Sequence, residues 1–217
     1  MARRLRSGLI AASIALAMPA NAATPLDALI KPVADASACF SRVYDAAHLR
    51  QHPRQATTAM TIWLRYEPMQ GGAPGLALDL GIAIHRRGDP LPYFAQGDCV
   101  WDARANRNTS DQRMVKSLNK DEAAVCMMSA QPDVFEATSA EEGGFLLLDR
   151  GKDRDTLMVY LDDGLTMVKR ATRGSHEHVR FGTDDRVFLL RRTDIKNCAA
   201  VENAVTEPEP GVAPRQR

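Results

Sequence analysis

Residues 76–85 alternate: Leu76, Leu78, Leu80, Ile82 and Ile84 fall on one side, Ala77, Asp79, Gly81, Ala83 and His85 on the other. Successive side chains of a strand point to opposite faces, so this pattern predicts a strand with one apolar face. Met60, Ile62, Leu64 and Tyr66 repeat it against Ala59, Thr61, Trp63 and Arg65. The Gly- and Pro-rich stretch 67–75 between the two runs predicts a long-looped antiparallel pair. Thr156 to Leu161, then Asp162-Asp163-Gly164, then Leu165 to Arg170 reads as a tight hairpin, because Asp-Gly tolerates the positive φ of primed turns. Further strands are expected at 39–44, 92–101, 123–128, 133–137, 144–149, 176–181 and 185–191.

About ten short strands separated by turn residues predict an all-β fold, an antiparallel β-sandwich or β-barrel. Helix is scarce. Asp45 can cap a short helical turn over 46–51, and Pro53 ends it, because the residue before a proline avoids the α region. A single turn is possible within 26–34. The stretch 102–120 is polar and basic, and the segment 206–217 combines three prolines with almost no apolar content, which predicts a disordered tail.

The start of the chain changes the picture of where it works. Arg3, Arg4 and Arg6 precede an apolar run from Ser7 to Met18, and Ala20-Asn21-Ala22 follows Pro19. A basic start, a short apolar core and a small-x-small exit describe a secretory signal peptide. Twelve residues would span only about 18 Å as a helix, short of the ~30 Å hydrocarbon core of a membrane. The expected organisation is a signal peptide over 1–22, a single disulfide-tied β domain over 23–205 and a tail over 206–217. Cleavage near Ala22 would deliver a mature chain with no membrane span to the periplasm or the exterior.

Composition adds exclusions. The chain has 217 residues with 28 Lys and Arg against 27 Asp and Glu, and removing the three leader arginines leaves 25 against 27. So balanced a charge gives no field for general nucleic-acid binding. All four cysteines lie beyond the leader, and an even number in an exported chain points to two disulfides. The favoured pairing joins Cys39 to Cys198, tying the first strand to the end of the domain, and Cys99 to Cys126, across neighbouring extended segments. Zinc sites usually carry close cysteine pairs, whereas the nearest spacing here is 27 residues.

The remaining candidate chemistry is thin. His176 and His178 would share a strand face, and His48 and His52 would share a helical face, so each pair could grip a cation; solvated histidines are the simpler expectation. Asp162-Asp163 and Asp184-Asp185 sit where turns are expected, and Asp commonly bonds local turn amides. Ser175 beside His176 is not a triad, whose members meet in space rather than in sequence. No nucleophile elbow, phosphate loop, dinucleotide fingerprint or zinc-protease helix occurs. No motif calls for a cofactor, and no catalytic or metal-binding residue is assigned. Tyr93, Phe94 and Trp101 are expected to fill the core. These readings converge on an exported, non-enzymatic binding domain whose partner is an unknown envelope protein or polymer. The alternatives are a small apolar-ligand carrier with a barrel cavity and a hydrolase with an unrecognised site.

Overall fold

A computed structural model describes residues 25–67, 77–102, 123–129, 143–169 and 176–206. The expected leader, the strand at 133–137, most of the basic stretch 102–120 and residues 207–217 of the expected tail lie outside the described residues. Ten antiparallel strands follow in chain order: β1 (Ser37–Val43), β2 (Thr57–Glu67), β3 (Ala77–Arg86), β4 (Tyr93–Asp102), β5 (Ala123–Met128), β6 (Phe145–Arg150), β7 (Thr156–Leu161), β8 (Gly164–Lys169), β9 (His176–Arg180) and β10 (Val187–Thr193). Each of β1 to β6 pairs with its successor, β7 pairs with β10, and β10 returns to β1. The result is a closed eight-stranded barrel with β8 and β9 attached beside β4.

The alternation read from the sequence sets inside and outside. Phe40 of β1, Met60, Ile62 and Leu64 of β2, Leu80, Ile82 and Ile84 of β3, and Leu146 and Leu148 of β6 all point inward, together with Val159, Phe188 and Leu190. Each of these is at most 1% exposed. A void wide enough for a ligand would leave its lining atoms accessible, so interdigitated side chains fill the interior. Burying one such side chain contributes roughly 1.5–3 kcal/mol.

Chain covers both ends. At one, a 3₁₀ turn (Pro25–Ala28) and the residues after it place Leu26, Leu29 and Ile30 in the core. Arg192 holds this plug by donating to the Leu29 carbonyl. At the other end lies helix α1 (Ala46–Gln51), with the Asp45 carboxylate accepting from the His48 amide at 2.8 Å. There the β8–β9 hairpin sends Leu165, Met167, Val179 and the adjoining Phe181 into the same continuous core.

The expected hairpin between 156–161 and 165–170 does not form. Both edges of β7 are occupied, by β6 and β10, and β8 pairs with β4 and β9 instead. The Asp-Asp-Gly stretch is the point where the chain leaves the barrel wall: the Asp162 amide donates to the Phe145 carbonyl, and Asp163 accepts from Phe181. Gly164 has no positive φ; a Cβ there would lie 2.4 Å from Nε2 of His178, so glycine serves close approach rather than a primed turn.

A second helix, α2 (Ala199–Thr206), was not foreseen in the sequence. It packs Val201 on the outside of the barrel against Trp63, Ala83, Phe94 and Val168. Phe94 therefore faces outward beneath a helix, while Tyr93 faces the interior. Two disulfides are present, Cys39–Cys198 under α2 and Cys99–Cys126 inside the barrel. Cys99 and Cys126 sit directly opposite in the β4–β5 register.

Candidate functional site

All five histidines of the chain lie at the barrel end that carries α1 and β9. The His48 and His52 rings stack at 4.4 Å between centroids, as residues four apart on a helix can, and Tyr44 packs on His48 at 4.6 Å. Gln55 fixes the His48 tautomer. Its Nε2 donates to the Thr57 carbonyl at 2.7 Å, so its Oε1, 3.0 Å from His48 Nε2, accepts the imidazole proton. His176 and His178 share a face of β9, as their spacing predicts, and the His178 ring covers Gly164. Among the described residues no three His, Cys, Asp or Glu side chains converge as metal ligands.

The carboxylate pairs serve turns. Asp185 is buried and accepts from the amides of Ala56 and Thr57 at 2.8 and 2.9 Å, joining the start of β10 to the start of β2. Its neighbour Asp184 pairs with Arg54 at 3.4 Å. Arg186 bonds Asp163 and approaches Asp162 at 4.0 Å.

Two charged clusters have no sequence signature. In the first, Tyr93 donates to Asp89 at 2.6 Å, and Lys169 reaches the same carboxylate at 2.8 Å while lying over the Tyr93 ring. Hydrogen bonds from Lys169 and Tyr93 hold Asp89 down at about 2, and the same contacts raise Lys169. Lys169 also pairs with Glu177 at 3.7 Å, fastening β8, β9 and the β3–β4 turn together. In the second, Arg65 binds Asp79 directly across the β2–β3 register, and Asp98 is next in that row. Burial, reinforced by the Asp79 charge, pushes the Asp98 carboxyl up. Asp89 and Tyr93 flank a turn four residues apart, but only folding brings Lys169 to them.

Two surface features remain. Val125, Leu147, Tyr160 and Val187 form one outward row across β5, β6, β7 and β10, about 14 Å at the ordinary strand spacing. Leu147 is buried in this row, while Val187 is 53% exposed. The second is a strand edge with no neighbouring strand among the described residues. The ring closes through β3 and β4, leaving β9 at the end of the sheet.

The fold thus defines a closed antiparallel barrel with a capping hairpin and an external helix. Compared with protein families, curated proteins and solved structures, the chain matches none.

Proposed function

We propose that this chain is an exported, non-enzymatic interaction domain that meets an envelope protein or polymer on its outer surface. The carrying observation is the filled barrel, stoppered by Leu26, Leu29 and Ile30 at one end and by the β8–β9 hairpin at the other. A carrier of apolar ligands needs an interior cavity, and the side chains here occupy that space. The charged outward positions Arg65, Asp79 and Asp98 around an apolar interior reverse the pattern of barrels that cross a membrane.

Two disulfides suit an oxidising compartment, and among the described residues no helix is long and apolar enough to span a bilayer. With a leader over residues 1–22, the favoured location is the periplasm, with cleavage near Ala22. The test is a pull-down from periplasmic extract with mature, oxidised protein as bait and its reduced, unfolded form as control. The reading expects a partner retained by the folded bait alone. Equal retention by both forms, or none by either, would contradict it.

A further inference from the structure

Among the described residues, the outer edge of β9 carries backbone groups left without a partner. Its pairing with β8 sets Gly164 opposite Arg180 and Thr166 opposite His178. The Phe181 amide donates to the Asp163 carbonyl, making that opposed pair a hydrogen-bonded one. Such pairs alternate along an antiparallel ladder, so Val179 and Glu177 turn their backbone groups toward β8. His178 and Arg180 turn theirs away. The Arg180 carbonyl, pointing outward, accepts from Arg86 at 3.3 Å, as this alternation requires. The His178 N–H and C=O and the Arg180 N–H have no partner among the described residues.

The side chains around this edge give it a sign. His178 and Arg180 are exposed on one face of the strand, and Arg86 lies beside them. Neither arginine has a carboxylate partner among the described residues. Glu177 projects to the other face, where Lys169 engages it. A short edge carrying charge resists pairing with arbitrary strands, and the same charge selects a segment of opposite sign.

Resting on the reading of the chain as an interaction domain, we propose that β9 is its docking edge, which takes an extended acidic segment of a partner protein as an added strand. Backbone bonds to His178 and Arg180 would supply affinity. Carboxylates at alternate positions of the added strand would face Arg180 and Arg86 and supply specificity.

A blocked octapeptide alternating Glu and Val, with a Lys-for-Glu counterpart, provides the probe. Titrated into isotope-labelled mature protein, the acidic peptide should shift the His178 and Arg180 amides saturably and slow their exchange. The lysine peptide should leave them unmoved. His178→Pro removes an outward donor while sparing the ladder to β8, and should weaken acidic-peptide binding roughly fivefold, the equivalent of one net backbone bond. Arg180→Glu, an exposed change that keeps the strand intact should the proline variant misfold, should reverse the peptide preference. Equal binding of both peptides, shifts confined to the Val125–Val187 row, or no binding at about 1 mM would overturn the docking edge. So would a pull-down partner whose retention neither substitution alters, although the interaction-domain reading would then survive. A pull-down that retains no fold-dependent partner would instead sink that broader reading.

Discussion

The barrel has two walls built from the same alternating pattern but finished differently. On the wall formed by β1 to β4, Trp63, Ala83 and Phe94 point outward and α2 covers them, with Cys198 bonded to Cys39 at the helix entrance. On the wall formed by β5, β6, β7 and β10, the outward residues Val125, Phe145, Tyr160 and Val187 keep partial exposure. A strand's inward residues are fixed by the shared core, whereas its outward residues depend on what else the chain supplies. On the first wall the chain supplies a helix and a covalent tether. Inward positions thus make the fold, while outward positions of the second wall keep the exposure that no helix removes.

Removing the tether is the strongest way to break that difference. Chain-entropy reasoning gives ~5 kcal/mol for a crosslink of sequence separation 159 and ~3.5 kcal/mol for one of 27. The double substitution of Cys39 and Cys198 to Ala should therefore cost more in denaturant unfolding than the same change at Cys99 and Cys126, and should loosen α2. A larger cost for the inner pair would mean that the covered wall does not depend on its tether. Below that in size stands Asp185→Asn, which places an amide against the Ala56 and Thr57 N–H groups; a loss of about 2 kcal/mol is expected from replacing hydrogen bonds to a buried charge. No loss would mean that this carboxylate does not hold the end of the barrel.

The capping hairpin can be probed by acid. The Asp89 carboxyl titrates at about 2 in the folded chain, below its ordinary value, because Lys169 and Tyr93 bond its charged form. The stabilisation is thus complete above the unfolded value near 3.8 and is lost as the pH falls toward 2. Carboxyl-resolved NMR should place the Asp89 midpoint near 2, and Lys169→Met should move it upward. An unmoved midpoint would detach Lys169 from this cluster. Smallest of all, Val187→Ser should change stability by no more than about 0.5 kcal/mol, since this side chain is 53% exposed. Losses above 1 kcal/mol would show that the barer wall is structural after all.

Period-two alternation made β2 and β3 legible from the sequence, because one face of each strand meets the core and every second residue must be apolar. It also led to a barrel or a sandwich, and the two could not be separated: closure depends on the β3–β4 pairing and the return of β10 to β1, to which no local residue points. Asp-Asp-Gly misled because turn propensity is local, while β7 found better partners in β6 and β10. Helix α2 escaped notice since its buried contacts are few, chiefly Val201 with Ala204 packed beside it, and tertiary packing rather than periodicity sustains it. The stacked His48 and His52 were readable from their spacing. The outer edge of β9 was not, because a sheet edge is defined by the neighbour it lacks.

If the barrel is a filled scaffold that works from its outside, native mass spectrometry of protein purified from the periplasm should find its interior free of any bound apolar molecule. The expected mass is that of the mature chain with two disulfides and no apolar adduct, unchanged after incubation with fatty acids or phospholipids. A stoichiometric lipid or other apolar ligand, retained by the folded protein and released on unfolding, would contradict it.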